Sequence, residues 1–78
     1  MHRVTYKGYE IHALPQPLAS GGWEPTLYIR MGRQGRWREK KFTGATLCST
    51  EEEAIASGVA TGKQIIDGAI AHCSVADV

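Results

Sequence analysis

The chain has 78 residues, a formal net charge of +1, and apolar and charged shares of 42% and 22%. This length limits it to one small domain with a thin core, and the composition excludes a disordered chain. No apolar run approaches the roughly 20 residues that span a bilayer, and the first residues lack the apolar stretch of a signal peptide. We therefore expect one cytoplasmic domain over residues 1–70, with residues 71–78 as a flexible C-terminal tail.

Alternating apolar and polar residues predict strands in the first half of the chain. In chain order, residues 6–9 are predicted as a turn or bulge, residues 9–14, 23–31 and 36–42 as strands, and residues 32–35 as a hairpin loop. Pro15 and Pro17 end the first strand because proline offers no ladder donor. Pro25 weakens the start of the second strand for the same reason.

One helix is predicted between Ser49 and Gly68. Ser49 and Glu52 have the spacing of a capping box, in which the hydroxyl and the carboxylate each accept an amide of the first turn. The helix either stops at Gly68 or continues to about Ala71.

A stripe of apolar and small residues predicts which side of this helix is buried. Its members are Ile55, Gly58, Val59, Gly62 and Ile66. Gly58 and Gly62 each cost a helix interior about 1 kcal/mol relative to alanine, which indicates a close approach to bulky sheet residues such as Trp23.

These elements predict an α+β fold, a three-stranded antiparallel meander packed against one C-terminal helix (βββα). The predicted core is Tyr9, Ile11, Trp23, Leu27, Ile29, Leu47, Ile55, Val59 and Ile66.

The residue types that carry catalysis or bind metals show no useful spacing. Cys48 lies near a helix start, but three glutamates oppose a thiolate there and no histidine is near in sequence. Cys48 and Cys73 are too far apart along the predicted path for an easy disulfide, so both are expected as thiols. The same glutamates repel a phosphate from the helix N-terminus. We predict no enzyme activity, no metal and no cofactor.

Basic residues are concentrated around the predicted hairpin. Between positions 30 and 41 they are Arg30, Arg33, Arg36, Arg38, Lys40 and Lys41, and Glu39 is the one acidic residue among them. Arginines beside aromatic residues on an open sheet can hold phosphates and stack on bases. We therefore predict nucleic-acid or partner binding on the sheet face opposite the helix, through Tyr28, Arg30, Arg36, Trp37, Arg38 and Lys40.

Two alternatives stay open from the residues alone. The cations can be a solvated surface that protects a strand edge from aggregation. Trp37, Tyr28 and Phe42 can instead form an apolar patch for a protein partner or a homodimer. Residues 32–35 match a GxxG loop by sequence, but their flanks are strands, so a plain hairpin loop is the better interpretation.

Two resemblances involve these segments. The chain resembles small bacterial proteins of the HlyU-like kind over about residues 6–68, in the segments Tyr6–Ile11, Ser49–Ala54 and Lys63–Asp67. That resemblance implies a regulatory role, although residues 21–37 depart from the pattern. The order of three strands and a helix, with Arg36-Trp37-Arg38 on the sheet, is similar to AP2-like and integrase-arm DNA-binding domains, although the opening RGV and the LGTF step of the AP2 pattern are missing.

Overall fold

The computed structural model describes residues 2–33, 36–44 and 46–70, so the predicted tail lies outside the described residues. This part of the chain is α+β, an antiparallel sheet with a C-terminal helix, as the sequence predicted. The strands are β1 (His2–Tyr6), β2 (Tyr9–Ala13), β3 (Gln16–Pro17), β4 (Trp23–Glu24), β5 (Thr26–Arg33) and β6 (Arg36–Thr43), and the helix is α1 (Glu51–Ile66). Within the described ranges, no helix is long and apolar enough to cross a bilayer.

The main sheet has four strands in the order β1-β2-β5-β6, so the predicted count of three is wrong. The missed strand is β1, which pairs antiparallel with β2 from His2↔Ala13 to Tyr6↔Tyr9. Lys7 and Gly8 form the connecting two-residue loop with φ of 49° and 86°. Two positive φ angles are what tight hairpin loops require, because they match the right-handed twist of the strands.

The predicted second strand divides at Pro25. Trp23 and Glu24 leave the main sheet and pair with β3 instead, and Thr26 then begins β5. Trp23 also exchanges two backbone hydrogen bonds with Cys48, at 2.7 and 2.9 Å. These bonds join the segment before the helix to the sheet side of the domain.

The register assigns each side chain of the sheet to one of two faces, because directly paired residues of antiparallel strands point to the same side. The covered face, on which α1 packs, carries Val4, Tyr6, Tyr9, Ile11, Ala13, Leu27, Ile29, Met31, Arg36, Arg38, Lys40 and Phe42. The open face carries Arg3, Thr5, Glu10, His12, Tyr28, Arg30, Gly32, Trp37, Glu39 and Lys41.

The helix approaches the sheet through its small residues. Its buried positions are Ala54, Gly58, Gly62 and Ile65. A Cβ added at Gly62 would lie 2.8 Å from Cγ2 of Ile11, whereas one at Gly58 would be 3.7 Å from the Cβ of Ala13. The predicted close approach is confirmed at Gly62 but not at Gly58, and the helix lies over β2 and β5 rather than over Trp23.

The hydrophobic core is smaller than predicted. Its fully buried members are Ile11, Leu27, Ile29 and Ile65, with Tyr6, Tyr9, Phe42, Ile66 and Ile70 packed around them. Leu47 was predicted as core but is 57% exposed, because the turn before the helix directs it to solvent. Ile65 is the most deeply buried isoleucine of the helix, one position before the predicted Ile66.

The helix starts one residue later than predicted, and of its two predicted ends it has the earlier one, at Gly68. Thr50, not Ser49, is the N-cap, and its Oγ1 accepts the amide of Glu53 at 3.1 Å. Glu53, rather than the predicted Glu52, reaches back to accept from Ser49 N and Oγ. At the C-terminus Gly68 has φ of 75° and its amide donates to Ile65 O, while Ala69 N donates to Gln64 O, the hydrogen-bond pattern of a Schellman motif.

Candidate functional site

The register of β5 and β6 divides the six predicted binding residues between the two faces of the sheet. Tyr28, Arg30 and Trp37 lie on the open face. Arg36, Arg38 and Lys40 are on the covered face, where Arg38 pairs with Met31 and Lys40 with Ile29. The prediction that all six share the face opposite the helix is therefore wrong for Arg36, Arg38 and Lys40, because the pairing of Ile29 with Lys40 places these three on the side of the core.

The far end of the β5–β6 hairpin extends beyond the rest of the sheet. The pairing of β2 with β5 ends at Glu10↔Arg30, so residues 31–33 pair only with residues 36–38. We call these six residues the ribbon. Since α1 packs chiefly on β2 and β5, Arg36 and Arg38 remain exposed although their side of the sheet is the covered one.

The side chain of Trp37 packs over Gly32 on the open side of the ribbon. A Cβ added at Gly32, its cross-strand partner, would meet three ring carbons at 3.1–3.2 Å. The guanidinium carbon of Arg30 is 4.6 Å from the ring centroid, within the range of a cation–π contact. Trp37 is still 56% exposed, so the indole is positioned by its neighbours yet accessible.

Arg30 also contacts a carboxylate. Its Nε is 3.1 Å from Glu39 Oε2, but this buried Nε has no hydrogen bond of acceptable geometry among the described residues. The pair is therefore an ion pair without a well-aligned hydrogen bond. Arg30 therefore contacts both the indole of Trp37 and the carboxylate of Glu39 on the open face.

A shallow pocket of 380 Å³ lies on the open face next to Arg30 and Glu39. It is lined by Arg3, His12, Leu14, Tyr28, Arg30 and Glu39. His12 is only 5% exposed, and its Nε2 is 2.8 Å from Glu10 Oε1. That hydrogen bond, with the charges of Arg3 and Arg30, holds the pKa of Glu10 below its ordinary value. The pocket thus combines hydrogen-bond donors with a carboxylate acceptor.

The two sides of β6 differ in charge. On the covered side Arg36, Arg38 and Lys40 follow one another without an acid between them. On the open side the cations Arg3, Arg30 and Lys41 are accompanied by the anions Glu10 and Glu39. One side can attract phosphates strongly, and the other offers an aromatic ring with mixed donors and acceptors.

The other candidate residues are not part of this arrangement. Phe42 packs against the core on the covered face and does not join Trp37 and Tyr28 in an apolar patch. Cys48 is a half-buried free thiol with its Sγ 3.8 Å from Thr46 O, and Cys73 lies outside the described residues. No group of three or more potential metal ligands occurs within the described ranges.

Sequence reasoning missed the contribution of β1 and β2 to the open face. Arg3 and His12 line the pocket, and they are cross-strand partners. The available signal was the pattern of residues 2–6, in which β-branched and aromatic residues precede a Lys-Gly turn. Such a run predicts a strand and places Arg3 on the side opposite Val4.

No protein family, curated protein or solved structure shows a significant match to this chain. The resemblances noted from the sequence therefore stay predictions, and the geometry of the ribbon and the open face is the basis for a functional conclusion.

Proposed function

We propose that this protein is a non-enzymatic nucleic-acid-binding module that holds phosphates with the β5–β6 hairpin. The observation that carries the proposal is the exposed ribbon, which has arginines on one side and the Arg30–Trp37 pair on the other. A two-stranded ribbon is narrow enough to lie against a nucleic-acid backbone or enter a major groove. The exposed arginines Arg36 and Arg38 on one of its sides can then reach phosphates without displacing the helix.

The distribution of charge supports this proposal better than the net charge does. A net charge of +1 gives little long-range attraction. Arg36 and Arg38, however, are exposed side chains on the same side of one strand, about 7 Å apart along it, which is close to the spacing of successive phosphates. A regulatory role in bacteria, as the HlyU-like resemblance implies, would follow from such binding.

The test is the salt dependence of binding to a random-sequence oligonucleotide, measured by fluorescence anisotropy. We expect log K to fall linearly with log[salt], and Arg36→Ala with Arg38→Ala to reduce the slope by about 1.4 for a single strand or about 1.8 for a duplex. Lys63→Ala is the control, because it removes a positive charge from the helix instead. Absence of any salt-sensitive binding at low ionic strength would contradict the proposal.

A second candidate is a protein-interaction or homodimerisation module that uses the open face. The observation that favours it is the 56% exposure of Trp37 on a sheet face that α1 leaves uncovered. Sedimentation across a wide concentration range separates the two functions. A dimer that Trp37→Ala converts to a monomer supports the second candidate, and a monomer at millimolar concentration excludes homodimerisation.

A further inference from the structure

We infer that the nucleic acid bound by this protein is single-stranded, with its phosphates on the basic side of β6 and its bases turned onto the open face, where Trp37 is the first stacking platform. This inference rests on the proposed function and specifies its substrate class.

Trp37 is prepared for stacking before any ligand arrives. Gly32 lets the indole lie against the main chain of β5, and Arg30 contacts the ring at 4.6 Å. A base inside a duplex already has neighbours on both of its faces, so it cannot stack on an indole without being unstacked first. The bases of a single strand have exposed faces, and aromatic side chains on open sheets bind them in this way.

The pocket beyond Arg30 has the chemistry of a base site rather than a phosphate site. A phosphate offers only acceptors, so the carboxylate of Glu39 would repel it. A base edge offers both amino donors and ring or carbonyl acceptors. Those groups match Glu39 as acceptor and Arg3 and Tyr28 as donors. Arg30 both contacts Trp37 and lines the pocket, so two successive bases can occupy the indole and the pocket.

The path of the backbone follows from the position of β6 in the sheet. In the described part of the chain β6 is an edge strand, with β5 as its neighbour on one side only. Arg36 and Arg38 project from the side of β6 opposite Trp37. A single-stranded nucleic acid that runs along the β6 edge can therefore place its phosphates against the arginines and its bases against the indole at the same time.

The experiment compares a labelled single strand of about ten nucleotides with the duplex of the same sequence and with an abasic strand of the same length. We expect the single strand to bind tighter than the duplex, and the abasic strand to bind more weakly than the strand with bases. Trp37→Ala should weaken single-strand binding by about 5- to 150-fold and reduce the difference between the normal and abasic strands. Trp37→Phe should retain most of the affinity.

Controls and contrary outcomes keep the inference separate from the proposed function. Leu47→Ala is the matched control, since Leu47 is as exposed as Trp37 but lies before the helix. The affinity of this variant for the single strand should equal that of the wild type. Single-strand binding should quench tryptophan fluorescence in the wild type and not in Trp37→Phe, where Trp23 remains.

If the duplex binds as tightly as the single strand and the salt slope still depends on Arg36 and Arg38, the inference is wrong and the proposed function stands. Equal affinity for normal and abasic strands also overturns the inference. If neither form of nucleic acid binds, both proposals fail.

Discussion

The indole of Trp37 lies on Gly32, its cross-strand partner, so closely that a Cβ at position 32 would be 3.1 Å from two ring carbons. Among the described residues of the ribbon, Trp37 is the one large apolar side chain that is exposed. Gly32 therefore supports it from below.

Gly32→Ala should displace this indole without unfolding the domain. The ring is 56% exposed and can move outward, so we expect a stability change within about 0.5 kcal/mol together with loss of the contact to Arg30. In NMR spectra the Hα protons of Gly32 should be shifted upfield by the ring in the wild type. They should return to ordinary values in Trp37→Ala. Ordinary shifts in the wild type would contradict the stacked geometry.

The two glycines of the helix should respond in opposite ways to alanine. Gly62→Ala places its Cβ 2.8 Å from Cγ2 of Ile11, a fully buried β-branched side chain that cannot move aside. Overpacking costs about 1–3 kcal/mol, which exceeds the gain in helix propensity of about 1 kcal/mol over most of that range, so Gly62→Ala should destabilise the domain. Gly58→Ala meets only ordinary contacts at 3.7 Å or more and should stabilise the domain by up to about 1 kcal/mol.

Urea denaturation of both variants measures this contrast directly. The midpoint should fall for Gly62→Ala and rise for Gly58→Ala, with little change in the slope m. Stabilisation by both substitutions would show that the helix lies higher above the sheet than the structure has it.

The capping residue of the helix is a third test. Thr50→Ala removes the acceptor for Glu53 N, and loss of an N-cap costs about 1 kcal/mol. Ser49→Ala removes only a hydroxyl that donates to the exposed carboxylate of Glu53, so its effect should be clearly smaller. Thermal denaturation of the two single variants gives the comparison. A larger loss of stability in Ser49→Ala than in Thr50→Ala would mean that Ser49 is the N-cap, as the sequence pattern predicted.

Asp67 should make stability depend on pH in acid. Hydrogen bonds from Lys7 and Tyr6 hold the pKa of Asp67 below its ordinary value of 3.8. A carboxyl group whose pKa is lower in the folded state stabilises the fold above its unfolded pKa and loses this contribution as the pH falls through the folded value. The wild type should therefore lose stability relative to Asp67→Asn as the pH is lowered from about 7 to below about 3.8.

The measurement is urea denaturation of the wild type and Asp67→Asn at several pH values. The difference between the two proteins isolates Asp67 from the other carboxylates, which both contain. Parallel pH profiles would mean that the contact of Asp67 with Lys7 does not persist in solution.

Local sequence signals predicted the strands β2 and β6, a weakened start of the second strand at Pro25, and Gly68 as one of two possible ends of the helix. Each depends on local sequence, such as the alternation of polar and apolar residues, a proline without an amide hydrogen or a glycine that can adopt a positive φ. The cap was misplaced by one position because Ser49 and Thr50 are both good caps, and each has a glutamate three residues later. These local signals do not distinguish the two positions.

The candidate site was harder to predict because it depends on two strands at once. The alternation of Arg36, Arg38 and Lys40 was visible in one strand, but the side of the sheet they occupy is fixed by the pairing of Ile29 with Lys40. A shift of one residue in that register would exchange every side chain between the faces. The contact of Trp37 with Gly32 likewise has no signal in either strand alone.

The position of the ribbon beyond the helix affects both its local stability and the substitutions that the domain can tolerate there. Each of its two strands pairs only with the other. Its local opening therefore needs less free energy than that of the core, and its amide hydrogens should exchange sooner than those of Ile11 or Ile29. Substitutions there leave the packing of Gly62 on Ile11 intact. Recognition can therefore diverge in residues 31–38 while the rest of the domain keeps the same fold.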